Sequence, residues 1–373
     1  MLTLQLADFG AEVLKVEQPR KGDPLRAWRL RKMDLWWREY ARNKKSVTLD
    51  IAQPGGQRLL RGLIGRADAL VENFVPGHLG KWKLSHEQFL EWNPKLVILS
   101  ISAWGQDGPY RNRPGFGTLV EAMSGLAAMT GFPDRPPTLP PIPIADMIAG
   151  LYGALSVMIG LHFARRTGTG QVVDLALLDS IFSVLGPVAA GHFLADHVAQ
   201  RNGNRSPNSA PRNIYATKDG RWLALSASTP VMAEKLFKLL GLEALLQDER
   251  FATNEARVKH GDEVDRIVAD ALVKFDLDEA MARFVEHGVA GAPVYDVAQL
   301  MNDPHVRARR MVEEVADAEI GAFPMHAPVP RFSRTPGRVR TVGPKLGEHN
   351  HEVYGDLGLG AEEIQELQRT GII

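Results

Sequence analysis

Asp146 is a carboxylate whose neighbours in the sequence could alter its acidity. It stands between the Pro-rich segment PPIPIA and an apolar stretch from Met147 to Phe163. Burial against such a stretch raises the pKa of a carboxyl group, whereas the N–H groups and dipole of a helix N-terminus lower it. A carboxylate held in this way can act as a nucleophile. An Asp at a helix start more often only caps the helix, so the local pattern alone favours capping over catalysis.

Two further segments could bind a ligand. Glu72, Asn73 and Phe74 end an apolar run and precede a Pro-Gly pair, and residues 102–117 (SAWGQDGPYRNRPGFG) are rich in glycine. Parallel sheets bind ligands at the carboxyl ends of their strands. A Gly-rich loop can also bring backbone N–H groups close to an acyl group or an oxyanion. The segment 72–74 could equally be an ordinary strand-end turn, and a Gly-rich loop without a fold context is more often an ordinary loop.

A few basic residues could form a local anion site, whereas the net charge of the chain would not attract anions. Arg26 and the cluster Arg42, Lys44 and Lys45 could meet phosphates, although exposed basic residues are usually just solvated. The residues Lys plus Arg and Asp plus Glu number 44 each, which leaves no overall field to attract nucleic acid or an anionic membrane. Any anion must therefore be bound by a few residues.

Several classes of chemistry lose their main support. The sequence has no cysteine, which excludes disulfides, thiolate nucleophiles and cysteine-ligated zinc. It has no GxSxG elbow, no Walker loop and no complete GxGxxG. His349 and His351 lack the spacing of a metal site. The start of the chain lacks a secretory signal, which together with the absent cysteines predicts a cytoplasmic protein.

The pattern of elements predicts an α/β fold. At 373 residues the chain exceeds one ordinary core, so two domains are expected. Short apolar or alternating runs predict strands, and a helical stretch at 55–65 separates two of them; the strand runs are 12–17, 46–50, 67–72, 96–102 and 171–175. This alternation indicates a doubly wound parallel sheet. A polar segment at 199–213 then precedes a hairpin at 214–227 and helices from 231 to 286. The apolar stretch after Asp146 is expected to be a buried core helix.

Many segments together resemble the family III CoA-transferases, a group that includes formyl-CoA transferase, the carnitine CoA-transferase and the α-methylacyl-CoA racemases. The resemblance spans nearly the whole chain, and its segments are LADFGAEVLKVEQPRKGDPLR, NKKSVTLDI, ADALVENFVPG, SISAWGQDGPYRNRPGFGTLVEAMSGLAAMTG, IADMIAGLYGAL, RTGTGQVVDLALLDS, GVAGAPVYDV, DPHVRARRM and TPGRVR.

The resemblance implies a Rossmann-like large domain with a parallel sheet and a smaller α+β domain. The large domain would be residues 1–195, rejoined by 325–373, and the small domain residues 205–320. Family members form interlocked homodimers, so a homodimer is implied here. Members also begin with a strand and turn before the segment LADFGAEVLKVE, and about twenty such residues are expected to be missing.

The family's chemistry would fall on Asp146. In the family, the Asp at this position attacks the donor thioester, and the anhydride formed is converted to an aspartyl-CoA thioester before a carboxylic acid takes up the CoA. No permanently bound cofactor is implied, because CoA and acyl-CoA are substrates. The resemblance also implies a set of CoA contacts: Arg26, Leu49, Asn73, Phe74, Lys81 (where some members have Arg) and Arg113.

Two alternatives remain open. Racemases of the family carry a His-Asp pair in the stretch corresponding to Phe116–Gly117, and this sequence lacks that His, which favours transfer over racemisation or isomerisation. A catalytically silent CoA-binding homologue is the other alternative. The pattern does not identify the acyl donor or acceptor, although nearby Arg and Lys residues would suit a dicarboxylate.

Overall fold

The computed structural model describes residues 1–373 and is a mixed α/β structure. Five of its strands overlap the predicted runs in the first half of the chain. The ten strands are β1 (Leu14–Glu17), β2 (Lys45–Thr48), β3 (Ala69–Glu72), β4 (Val97–Ser102), β5 (Gln171–Ala176), β6 (Arg212–Ala216), β7 (Trp222–Ser226), β8 (Gly291–Pro293), β9 (Val312–Asp317) and β10 (Gly321–His326).

Helices make up much of the remainder, and short 3₁₀ turns occupy Pro24–Ala27, Leu79–Trp82 and Glu243–Gln247. The α-helices are α1 (Leu2–Asp8), α2 (Leu35–Tyr40), α3 (Pro54–Ile64), α4 (His86–Trp92), α5 (Gly117–Met123), α6 (Leu126–Met129), α7 (Ile144–Thr167), α8 (Leu177–Phe182), α9 (Val188–Ala195), α10 (Pro230–Leu239), α11 (Asn254–Lys259), α12 (Gly261–Leu272), α13 (Leu277–His287), α14 (Val297–Asn302), α15 (Pro304–Ala308), α16 (Asn350–Asp356) and α17 (Ala361–Arg369).

The chain divides into two compact units. The first comprises residues 1–126, 140–187 and 309–373, and the second comprises residues 127–139 and 188–308. The domain limits that the sequence suggested, 1–195 with 325–373 and 205–320, remain a prediction.

Parallel strands organise the first unit. The order β3-β4-β5 is parallel throughout, and β1 pairs with β2 in parallel as well. The central strand β4 is buried from Val97 to Ser100, as expected for a parallel strand covered on both faces. Because parallel strands share one carboxyl edge, the residues that follow β3, β4 and β5 emerge on the same side of the sheet. An antiparallel hairpin, β9-β10, also belongs to this unit.

The second unit is α+β. Strands β6, β7 and β8 form an antiparallel sheet, and the predicted hairpin at 214–227 corresponds to its first pair. Helices α10, α12 and α13 cover it with apolar faces, and the core includes the fully buried Phe237, Phe251 and Phe284. Burial of an aromatic side chain of this size stabilises the fold by about 3 kcal/mol. The sheet and its helices therefore form a core of their own.

About a third of the apolar part of the long helix α7 is buried (33%), so the expectation of a buried core helix was wrong for one face. Its small residues face the interior, where a side chain at Gly160 would lie 2.6 Å from Val97 Cγ1. The opposite stripe, Leu151, Leu155 and Ile159, is more than half exposed. The hydropathy of a sequence shows that a helix is apolar. It does not show which face of the helix packs against the rest of the chain. α7 is also long and apolar enough to cross a membrane, a test that core helices pass too.

Candidate active site

Asp146 lies in the first turn of α7. The helix begins after Pro143, whose side chain makes no capping hydrogen bond. The cap comes instead from another helix: Glu121 of α5 accepts a hydrogen bond from the backbone N–H of Ala145 at 3.1 Å. Glu121 is almost completely buried. The first turn of α7 is therefore fixed by a side chain next to Asp146 in space but remote from it in sequence.

Gly117, the first residue of α5, lies directly against the Asp146 carboxylate. A Cβ placed on Gly117 would be 3.0 Å from Asp146 Cγ and would overlap Oδ2. The carboxylate thus occupies the space that any other residue at 117 would need. Asp146 nonetheless retains an exposed surface. One side of the carboxylate is packed against the protein, and the residue remains open to a substrate.

The electrostatics favour a basic carboxylate. Burial raises the pKa of Asp146 most, and the negative charge of Glu121 raises it further. A hydrogen bond involving its own backbone N–H lowers the pKa without reversing the rise. A carboxylate with a raised pKa is a better nucleophile once ionised, since basicity and nucleophilicity rise together.

The Gly-rich loop between β4 and α5 is folded around Trp104. A Cβ at Gly115 would lie 2.6 Å from Trp104 Nε1, so glycine is needed for this close approach. The rings of Trp104 and Tyr110 meet edge to face, with centroids 6.0 Å apart. The guanidinium of Arg113 lies 4.3 Å from the Tyr110 ring centroid, a cation–π contact. Arg113 is exposed, so the loop presents a positive charge to solvent in the segment leading to Gly117.

A hydrogen-bond network joins the carboxyl ends of β3 and β4. Glu72 accepts from the Ser100 hydroxyl and, at 2.7 Å, from the backbone N–H of Phe74, and it lies 3.2 Å from His86 Nε2. Gln106 of the Gly-rich loop donates to Ser100 Oγ at 2.7 Å. The strand-end turn and the Gly-rich loop are therefore linked through two buried side chains.

Three of the predicted CoA contacts lie in the segment after β3. Asn73 and Lys81 are exposed, and Phe74 is half-buried. Phe74 belongs to an aromatic cluster: its ring is 5.4 Å from that of Trp82 and stacks with that of His78 at 5.8 Å. Lys81 directly precedes Trp82 in the chain. An aromatic cluster and an exposed ammonium group in one segment suit a heterocyclic ring attached to phosphates. His78 and Trp82 were not predicted from the sequence.

Arg26 and Leu49 come together at the carboxyl end of the β1-β2 pair. Arg26 forms a bidentate ion pair with Glu17 at 2.7 and 2.8 Å, and its guanidinium lies 3.6 Å from the Trp37 ring centroid. Leu49 donates its backbone N–H to the Glu17 carbonyl, but its side chain is 3% exposed and belongs to the core. Only the backbone of Leu49 remains for a ligand.

The three residues of the basic cluster, Arg42, Lys44 and Lys45, have different surroundings. Arg42 is completely buried and pairs with Asp8 at 2.6 Å, and Lys45 bridges two glutamates of the surface, Glu12 and Glu352. Lys44 donates to the carbonyl of Tyr40, and burial, aided by the positive charge of Lys15, lowers its pKa to about 7. Two of the three are thus structural, and Lys44 alone has no carboxylate within ion-pair distance.

Asp146 was predicted from the sequence, but Glu121, whose charge acts on it, was not. Phe116 and Gly117 were considered as the end of the Gly-rich loop and as the place where racemases carry a His-Asp pair, not as neighbours of Asp146. The one signal for Glu121 is a carboxylate within the otherwise uncharged run from Gly117 to Met129. An acidic residue on a buried helix face requires a partner, and the partner cannot be read from the sequence.

Comparisons with known proteins identify the family of the chain. The sequence family described as CoA-transferase family III matches residues 1–350. A succinyl-CoA–D-citramalate CoA-transferase of Chloroflexus aurantiacus is 41% identical over 99% of this chain and 92% of its own length. A succinate–glutarate CoA-transferase of Agrobacterium fabrum is 34% identical over 94% of this chain and 90% of its own. The crystal structure of a CAIB/BAIF family protein from Brucella suis superposes with a TM-score of 0.83 at 32% identity, covering 95% of this chain and 94% of that one.

Proposed function

The chain belongs to CoA-transferase family III, and we propose that it moves CoA from succinyl-CoA to a second dicarboxylic acid through a covalent intermediate on Asp146. The observation that carries the proposal is the position of this carboxylate: it packs against Gly117, the charge of Glu121 helps to raise its pKa, and it is still open to solvent. Family membership supplies the CoA chemistry, and the relatives' substrates suggest the donor and the class of acceptor.

The proposed cycle has two symmetrical halves. An Asp146 oxygen attacks the thioester carbon of succinyl-CoA, the carbon–sulfur bond breaks, and CoA leaves as the thiolate. The thiolate attacks the aspartyl carbonyl of the mixed anhydride, which releases succinate and leaves an aspartyl-CoA thioester. The acceptor carboxylate then attacks this thioester, and the departing thiolate attacks the acceptor's carbonyl to give the new acyl-CoA and free Asp146.

This cycle needs a carboxylate of suitable basicity and no permanently bound cofactor. Each step exchanges one acyl derivative for another, so no electrons are gained or lost. The raised pKa of Asp146 suits it to attack a thioester, because a more basic carboxylate is a stronger nucleophile.

Racemisation would place different demands on this site. A racemase must remove and return the α-proton, which requires a second acid-base group beside the substrate. Position 117 is filled by a glycine against which the Asp146 carboxylate packs, and residue 116 is an exposed phenylalanine. Phe116 and Gly117 therefore offer no proton-accepting side chain where racemases carry their His-Asp pair. This absence supports transfer over racemisation.

CoA binding is proposed for the residues that the resemblance implied. Lys81 beside the Phe74–Trp82 aromatic cluster suits the nucleotide end of CoA, and Arg26 lies at the carboxyl end of the β1-β2 pair. Arg113, held over Tyr110, lies in the loop that runs to Gly117 and would meet the pantetheine or acyl end. Asn73 and the backbone of Leu49 complete the proposed contacts.

A cytoplasmic homodimer is part of the same proposal. The exposed stripe of α7 continues through Phe163 and forms an apolar face that one chain leaves uncovered. Contiguous apolar surface of this kind marks an interaction site in soluble proteins. A second copy of the chain is the partner that family resemblance implies.

The test is CoA exchange with defined substrates. The protein would be incubated with succinyl-CoA and citramalate, malate or glutarate, and the new CoA thioester would be measured by liquid chromatography. Exchange with at least one acceptor, lost in Asp146→Ala while succinyl-CoA still binds by calorimetry, is the expected result. Exchange that persists in Asp146→Ala would contradict the assigned nucleophile, and binding without any exchange would favour a silent CoA-binding protein.

A further inference from the structure

We propose that Glu121 is a positioning residue of the active site, which fixes the first turn of α7 and places a negative charge beside Asp146 that is relieved when Asp146 becomes acylated. This inference rests on the function proposed above, since it concerns the same nucleophile.

The geometry gives Glu121 a role that its own helix does not require. It lies on α5 with only 2% of its surface exposed, and it accepts from the Ala145 backbone N–H at 3.1 Å. Pro143, at the cap position of α7, provides no side-chain hydrogen bond. Glu121 therefore satisfies one of the unpaired N–H groups at the start of α7, one residue before Asp146. The nucleophile's backbone is held by the same side chain that provides the charge.

The charge of Glu121 is unusual because no Lys, Arg or His lies within ion-pair distance of it, whereas most buried carboxylates are paired. It is offset by the helix N-terminus alone, which favours anions only modestly. Two carboxylates at one helix end repel each other, and both burial and the Glu121 charge raise the pKa of Asp146.

Few other charges face Asp146 from the elements packed around it. On α8, which packs against both α5 and α7, the carboxylate is that of Asp179, and it is exposed. On α1, the carboxylate is that of Asp8, which is paired with Arg42, and on β5 it is that of Asp174, which accepts a hydrogen bond from the Gln106 backbone N–H. Within the first turn of α7, Asp146 is the sole charged residue. Glu121 is therefore the buried negative charge that distinguishes this helix end.

The consequence for catalysis follows from the charge balance of the first step. When Asp146 attacks a thioester, the negative charge leaves on the CoA thiolate and the aspartyl group becomes neutral. The repulsion from Glu121 is present before this step and absent after it. Glu121 thus raises the energy of the free carboxylate relative to the acylated one, which speeds attack and increases the fraction of enzyme held as the aspartyl-CoA thioester.

Two variants separate charge from structure. Glu121→Gln keeps the size of the side chain and an oxygen for the Ala145 N–H but removes the charge, and Glu121→Asp keeps the charge. Asp179→Asn is the matched control, since it removes an exposed carboxylate from the neighbouring helix. Thermal melting checks that each variant is folded. The readouts are kcat and KM for CoA transfer against pH, and the fraction of Asp146 carrying an adduct in the steady state, measured by mass spectrometry.

In Glu121→Gln, the acidic limb of the kcat/KM profile should move to lower pH by about half a unit or more, because Asp146 ionises more readily. Its kcat should fall on the order of tenfold with KM nearly unchanged, and the adduct fraction should drop. Glu121→Asp should restore much of the profile, and Asp179→Asn should match the natural protein. A Glu121→Gln profile and adduct fraction equal to those of the natural protein would overturn the inference. If Glu121→Gln does not fold, a folded Glu121→Asp whose acidic limb moves to lower pH would overturn it, because the negative charge beside Asp146 is still present in that variant.

The two proposals fail in different ways. If the natural protein forms no adduct on Asp146 and Asp146→Ala still turns over, the nucleophile itself is misassigned, and Glu121 loses its role with it. If the adduct forms on Asp146 but is insensitive to Glu121→Gln, only the role of Glu121 is wrong.

Discussion

Gly117 and Asp146 share one small space: the carboxylate of Asp146 lies where the side chain of any other residue at 117 would begin. One residue starts α5 and the other lies in the first turn of α7, so the contact joins two helix starts. Gly117 is needed for its lack of a side chain and not for an unusual backbone conformation, since its φ is not positive.

Gly117→Ala should therefore displace the nucleophile. An added methyl group would overlap Asp146 Oδ2, and misplacing a reacting atom by about 1 Å can cost on the order of 100-fold in rate. We expect kcat to fall by about this factor, with the KM for succinyl-CoA changed far less, in steady-state kinetics. Gly355→Ala, in helix α16 where a methyl group has open space, is the control and should leave kcat unchanged. A Gly117→Ala enzyme with full kcat would show that Asp146 does not need this position.

The stability of the protein should respond to Asp146 in a defined pH direction. Its pKa is raised by folding, so the ionised form is less favourable in the folded chain than in the unfolded one. That cost is complete above the raised pKa and disappears as the pH falls below the ordinary value of 3.8. Asp146→Asn should thus raise Tm on the order of 1 °C at pH 7 to 8, and the difference should disappear as the pH falls below 3.8. Thermal melts across this range test it; a lower Tm for Asp146→Asn at pH 8 would contradict the direction of the shift.

How much of this site could be predicted depends on how local its signals are. The strands at 67–72, 96–102 and 171–175 follow from short apolar runs, and each was confirmed by a parallel strand. Asp146 stands out because a carboxylate between prolines and an apolar run is a local pattern. Gly117 and Glu121 act on it only through tertiary packing, which no spacing in the sequence records.

The family resemblance implied which residues contact CoA but not how their side chains are oriented. Leu49 was predicted to contact CoA, yet its side chain lies in the core, because the strand end that positions Arg26 also directs Leu49 inwards. The exposed face of α7 could not be predicted either. The sequence does not show whether an apolar residue is buried within its own chain or at an interface with a second chain.

Lys81 should contribute to binding CoA and not to the chemical step. An exposed ammonium group beside the Phe74–Trp82 cluster would gain from a phosphate only in the bound state. Lys81→Ala is expected to raise the KM for succinyl-CoA roughly threefold to tenfold with kcat unchanged, and Lys81→Arg to keep a low KM. Lys95→Ala, at the opposite end of the sheet just before β4, is the control and should behave as the natural protein. Equal KM values for Lys81→Ala and Lys95→Ala would remove Lys81 from the binding site.

The exposed stripe of α7 should be covered by a second copy of the chain. Ile159 is 59% exposed in the middle of that stripe. We expect a dimer in sedimentation velocity, and Ile159→Glu should dissociate it, because a charge would be buried without a partner. Val285→Glu places the same charge on an exposed position of α13 and should leave the dimer intact. If Ile159→Glu sediments as the natural protein does, the interface lies elsewhere.

The central claim is that Asp146 becomes covalently linked to CoA during turnover. The direct measurement is to mix the protein with succinyl-CoA, quench with hydroxylamine or borohydride, and locate the modified residue by peptide mass spectrometry. We predict a hydroxamate or a reduced side chain at Asp146, absent from the sample without succinyl-CoA and from Asp146→Ala. An unmodified Asp146 in a preparation that is exchanging CoA, or modification at another carboxylate, would contradict the account.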